Sequence, residues 1–132
     1  MGRKTPKRHF KIYALLDRHQ KIAFIGKSYA KDLSSIFSNH ICGKNVYTKA
    51  YFGKKPPLVI PELCILSEVY DIYKVAYKWI LAWVRVFLEN GYTMVMQEGS
   101  VMYATALHPD TKKIYDSLLH EPLDDVLERG KS

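Results

Sequence analysis

Four lysines, Lys44, Lys49, Lys54 and Lys55, are interleaved with Tyr47, Tyr51 and Phe52 in a stretch that also holds Gly43, Gly53, Pro56, Pro57 and Pro61. Ammonium groups neutralise phosphates and aromatic rings stack on unpaired bases, so an exposed basic loop of this make-up suits nucleic acid. Arg18 and Lys27 complete the candidate nucleic-acid-binding set. Other chemistries fail on spacing. Gly26-Lys27-Ser28 has the ending of a phosphate-cradling P-loop, but that motif needs a glycine where Lys21 stands. His40, Cys42, Cys64, His108 and His120 are residue types that ligate zinc, yet none falls in a C-x-x-C or H-x-x-x-H pair. Nothing resembles a nucleophile elbow or another local signature of serine or cysteine catalysis.

The charge distribution points the same way as the loop. From Met1 to Ile60 there are 13 Lys and Arg against Asp17 and Asp32, a net of +11, whereas Pro61 to Ser132 carries 7 against 11 acidic residues, a net of −4. A basic half joined to a mildly acidic half predicts a polyanion-facing surface on the first. The most apolar stretch, Val75 to Leu88, is interrupted by Lys78 and Arg85, so no membrane partner is expected. The basic stretch Met1 to Phe10 has no apolar core behind it and does not read as a secretory signal. Two cysteines without paired spacing suit reduced thiols, and the expected location is cytoplasmic.

These side chains must be held by a single domain, since 132 residues with 48% hydrophobic content supply one core. The reading is a flexible basic arm over 1–10, a domain over 11–120 and an acidic tail over 121–132. Lys11 to Leu16 and Lys21 to Ile25 predict a β-hairpin across the polar Asp17-Arg18-His19-Gln20. Ala30, Leu33, Ile36, Phe37 and His40 recur at three- and four-residue steps and predict an amphipathic helix from Tyr29 to His40. Leu63 to Val69 predicts a third strand. Ile72, Val75, Ala76, Trp79, Ile80, Trp83 and Phe87 form the apolar stripe of a long helix, with Asp71 as N-cap and Gly91 just past its end. Tyr92 to Met96 suggests a further short strand, and Ser100 to Leu107 and Asp110 to Leu119 suggest short helices. The expected fold class is α+β, a small antiparallel sheet of about three strands flanked by helices. Tyr73, Tyr77 and Leu81 would offer an apolar partner surface if the C-terminal segment leaves that side of the long helix open.

Lys11-Ile12-Tyr13, followed after ten residues by Phe24-Ile25-Gly26-Lys27, then Lys31-Asp32-Leu33 and a helix ending in His40, resembles the core of the GIY-YIG endonuclease superfamily. The likeness runs more faintly through Leu63 to Val69 and Trp79-Ile80, and so spans roughly residues 11 to 97. It implies metal-dependent hydrolysis of a DNA phosphodiester with Mg²⁺ or Mn²⁺, DNA being expected over RNA. Carried over by position, Tyr13, Lys27 and His40 become the candidate catalytic residues. Tyr13 keeps the first motif's phenol, Lys27 would contact phosphate or act on Tyr13, and His40 would serve as general base or phosphate ligand. The pattern departs at three positions: Phe24 replaces the second motif's tyrosine, Ile36 stands where the family has an arginine, and Ala76 stands where it has the metal-binding glutamate. Glu68, and behind it Glu62, are the replacement metal ligands that remain upstream. Two functions are therefore expected in competition, a divergent nuclease and a binding or protein-interaction module that keeps the fold without the chemistry.

Overall fold

The computed structural model describes residues 6–29, 33–41, 61–96 and 98–131. Alternation of apolar and polar residues sets the hairpin. Strand β1, Arg8–Asp17, pairs antiparallel with β2, Ile22–Ser28, bringing Tyr13 opposite Gly26, Leu15 opposite Phe24 and Ile12 opposite Lys27. The turn lacks Asn-Gly, and Asp17 does the work instead: its Oδ1 accepts from the backbone N–H of His19 (2.9 Å) and Gln20 (3.2 Å). Lys21 then takes the left-handed conformation with φ 55°.

On the far side of β1 lies β3, Glu62–Asp71, also antiparallel, and β4, Thr93–Met94, adds to the outer side of β2 in parallel. The order is β3-β1-β2-β4. The sheet is thus four-stranded and mixed, where about three antiparallel strands are expected from sequence. The parallel strand arises because the chain, after the long helix, turns through Gly91 at φ 84° and runs back beside Lys21 to Ala23, with Thr93 N–H donating to Lys21 O (2.8 Å).

The long helix α2, Tyr73–Glu89, follows β3; α1, Ser34–Ile41, lies between β2 and β3 in the chain. Ala76, Ile80, Trp83, Val84 and Phe87 of α2 are buried in one core with Phe10, Ile12, Ala14, Leu16, Ala23 and Ile25, the residues that period two sends to one side of the hairpin. Trp83 Nε1 donates to Ser67 Oγ (2.9 Å), beside the irregularity where the β1–β3 register shifts between Ile12 and Tyr13. The expected cap moves by one residue: Ile72 is the N-cap, and the Asp71 carboxylate accepts from the Ile72 N–H (2.8 Å).

Three short helices complete the chain, α3 (Glu98–Ala106), α4 (Pro109–Leu118) and α5 (Leu123–Arg129). They change two expectations. The surface expected from Tyr73, Tyr77 and Leu81 is covered in part: Leu81 is buried and Tyr77 shares a hydrogen bond with Ser100 Oγ (2.9 Å), while Tyr73 stays exposed. The acidic tail expected over 121–132 packs onto the domain through α5, which buries Leu123, Val126 and Leu127, and Gly130 O accepts from the Ile65 N–H (2.8 Å). At the other end, β1 starts at Arg8, so 8–10 of the expected flexible arm belong to the sheet and Phe10 is buried.

Candidate functional site

Period two that sends Ile12 and Ala14 toward α2 sends Tyr13 and Leu15 to the opposite face of the sheet. There α1 supplies Phe37, which packs with Leu15, Phe24, Leu63 and Val95 in a second small core. The last turn of α1 sets His40 over the hairpin. Its Nε2 lies 3.3 Å from the Tyr13 hydroxyl, a contact between residues 27 positions apart. With the imidazole protonated on Nδ1 the phenol donates to Nε2, and in the other tautomer the ring N–H donates to the phenol oxygen.

Two neighbours shape this pair. Gly26, directly across from Tyr13, leaves the room the phenol occupies, since a Cβ there would sit 2.6 Å from the Tyr13 hydroxyl oxygen and 3.0 Å from Phe24 Cε1. Its need for glycine is a need for space, not for a left-handed backbone. The Phe24 ring stands 4.9 Å from the imidazole, so the phenylalanine of the second motif packs where a second phenol would bring a hydroxyl. Tyr13 is 5% and His40 3% exposed. Burial pushes the phenol up to about 12 and holds the imidazole below its ordinary value, so both are neutral near pH 7.

The remaining sequence candidates are placed elsewhere. Lys27 is across from buried Ile12 and reaches the opposite face, where its Nζ lies 3.9 Å from the centre of the Tyr73 ring. It does not join Tyr13 and His40, because it is one residue out of phase with Gly26 on a strand. Arg18 is held between two carboxylates, Glu62 (2.7 Å) and Glu128 (2.8 Å), so its charge serves to tie the hairpin turn to β3 and α5. That also commits Glu62. Glu68 is exposed and pairs with Lys11 across the β1–β3 ladder. Ile36 is half-buried on α1, and Ala76 is fully buried against the sheet. Lys44, Lys49, Lys54 and Lys55 lie outside the described residues.

Among the described residues no group of three or more His, Cys, Asp or Glu could hold a metal ion. The Mg²⁺ or Mn²⁺ that the resemblance implies therefore has no donor set there: Glu62 is bound to Arg18, and Glu68 lines a cavity with Glu121, which is itself bound to Arg129 (2.8 Å). Of the zinc-type residues Cys42 lies outside the described residues, and the others are scattered. Cys64 is in the core, His108 caps α4 by accepting from Asp110 N–H (3.3 Å), and His120 contacts Ser117 O.

Sequence reasoning misses a second cluster, at the end of the sheet where Lys27 emerges. Arg8 lies 4.6 Å from the centre of the Tyr29 ring, and Phe10 meets Tyr29 and Tyr73 edge-on at 6.0 and 6.5 Å; out of phase with them, on the other face of the sheet, His9 packs tilted against Tyr70 with ring centres 4.6 Å apart. These residues come from β1, the residue just past β2, β3 and α2, so no local spacing links them. The only sequence signal is one of type, tyrosine next to cation at strand ends. No protein-family model, curated protein or solved structure matches this chain.

Proposed function

We propose that the chain is a GIY-YIG-like domain that acts by binding DNA. The observation that carries this reading is the meeting of Tyr13 and His40, two positions that the resemblance singles out and that the chain brings to 3.3 Å across 27 residues. Gly26 beneath the phenol supports it, because it gives the second motif's glycine a spatial reason. The net charge of +11 over the first 60 residues supports a polyanionic ligand.

Binding is favoured over cleavage by where charge lies. A phosphoryl-transfer site needs cations at the developing charge and a held metal. Here Lys27 emerges on the other face of the sheet from Tyr13, and Arg18 is already paired with Glu62 and Glu128. A neutral phenol and the Nε2 of a neutral imidazole serve as hydrogen-bond partners for each other inside the fold, which is a structural task.

One observation keeps hydrolysis as the second reading. A neutral His40 is in the protonation state of a general base, and Tyr13, protonated up to about pH 12, is a donor able to orient a phosphate oxygen. The deciding experiment incubates supercoiled plasmid with the full chain and Mg²⁺ or Mn²⁺, beside an EDTA control and a Tyr13→Phe, His40→Ala double variant, and measures duplex binding on the same samples. The expected result is salt-dependent binding with no nicking above the double variant. Nicking that both EDTA and the double variant abolish would overturn the binding reading in favour of a nuclease.

A further inference from the structure

We propose that the cavity between Tyr29 and Tyr73 is a stacking slot for an unpaired base of a single-stranded nucleic acid; the proposal rests on the nucleic-acid reading above and names the form of ligand. The slot is a cavity of about 390 Å³ lined by Phe10, Lys27, Ser28, Tyr29 and Tyr73. That volume is within the range of small-ligand sites, roughly 300 to 1,000 Å³. Tyr29 and Tyr73 are 62% and 61% exposed, while Phe10 between them is buried and forms the floor. Both tyrosine rings stand nearly at right angles to Phe10, at 84° and 77°, so the floor braces them while much of each ring meets solvent.

Charge selects the ligand. Aromatic cages of this size also take quaternary ammonium groups, but here a cation already occupies each wall: Lys27 Nζ is 3.9 Å from the Tyr73 ring centre and the Arg8 guanidinium 4.6 Å from that of Tyr29. A second cation would be repelled. A group with a flat π face joined to an anion meets both needs, with the base against a tyrosine ring and the phosphate beside Lys27 or Arg8, and that group is a nucleotide. A duplex keeps its bases stacked on each other, so the base that enters must be unpaired.

The slot is on the face of the sheet that carries α2, away from Tyr13 and His40, so its effect is separable from theirs. The test measures anisotropy of labelled strands with the full chain: oligothymidylate and oligouridylate of about twelve nucleotides, an abasic strand of the same length, and a duplex. Wild type is compared with Tyr29→Ala, Tyr73→Ala and Tyr73→Phe. Both alanine variants should weaken binding to the base-bearing strands roughly five- to hundredfold while leaving the abasic strand within about twofold, and Tyr73→Phe should behave as wild type. The polymer bound more tightly identifies the source of the base. Alanine variants that bind base-bearing strands like wild type, or that lose the abasic strand equally, overturn the slot while the nucleic-acid reading stands. A wild type that binds neither strands nor duplex overturns both. Because both tyrosines are mostly exposed, the alanine variants should keep the wild-type melting temperature, which a thermal scan checks.

Discussion

At the scale of single residues, the Tyr13 and His40 pair couples space and protonation. Gly26→Ala would drive a methyl into the Tyr13 phenol, at 2.6 and 2.7 Å from its Oη and Cζ. The ring must then turn out of its seat beside His40, and the expected loss is about 1 to 3 kcal/mol of stability by urea unfolding. The pair also predicts the shape of the pH profile. The unfolded chain takes up a proton at His40 near its ordinary 6.5, while the buried imidazole resists it, so stability falls as pH drops below about 6.5. In alkali the unfolded chain releases the Tyr13 proton near 10 while the folded one keeps it to about 12, so stability also falls between those values, by up to about 3 kcal/mol. Unfolding at stepped pH should show His40→Asn flattening the acid limb and Tyr13→Phe the alkaline one. Tyr13 and His40 are legible in the sequence as a pair only through their motif positions. Lys27 shows the limit of that, because adjacency to Gly26 in a strand means opposite faces.

Among the elements, α5 carries the largest difference from what composition suggests. Asp124, Asp125 and Glu128 make the segment acidic, but Leu123, Val126 and Leu127 lie at helical spacing and are all buried, so charge hides an amphipathic turn. Deleting 121–132 should therefore destabilise the fold by about 5 kcal/mol, from three buried side chains at roughly 1.5 to 3 kcal/mol each, whereas a loose tail would cost nothing measurable. Gly130→Ala probes the same docking with one atom: a Cβ there collides with the Ile65 carbonyl, a backbone group of β3 that cannot step aside. Its expected cost exceeds about 2 kcal/mol in thermal or urea unfolding. The hairpin, β3, α2 and α4 follow from periodicity, because each is long or regular enough for its apolar residues to declare one face, whereas α3 has no apolar stripe. β4 does not, since two residues carry no period and their pairing depends on where α2 releases the chain.

For the whole molecule, the asymmetry between the +11 and −4 halves predicts how binding responds to salt. The logarithm of duplex affinity should fall linearly with that of salt concentration, and replacing Lys44, Lys49, Lys54 and Lys55 by alanine should reduce the slope by about 0.9 for each lysine that touches phosphate. A slope that the four substitutions leave unchanged would remove that loop from the interface. Part of the acidic half is matched within the molecule, Glu62 and Glu128 both pairing with Arg18. The amino-acid sequence by itself determined the class of fold, the hairpin with its paired positions, the long central helix and the segregation of charge, because each is written in local period, turn chemistry or composition. Only the tertiary structure decided that His40 meets Tyr13 while Lys27 does not, that Arg18 is neutralised, that the tail is part of the core, and that Tyr29 and Tyr73 gather with Arg8 and Lys27 at one end of the sheet. Those depend on strand phase and on which distant segments pack together, and contacts between residues tens of positions apart leave no spacing in the chain from which to read them.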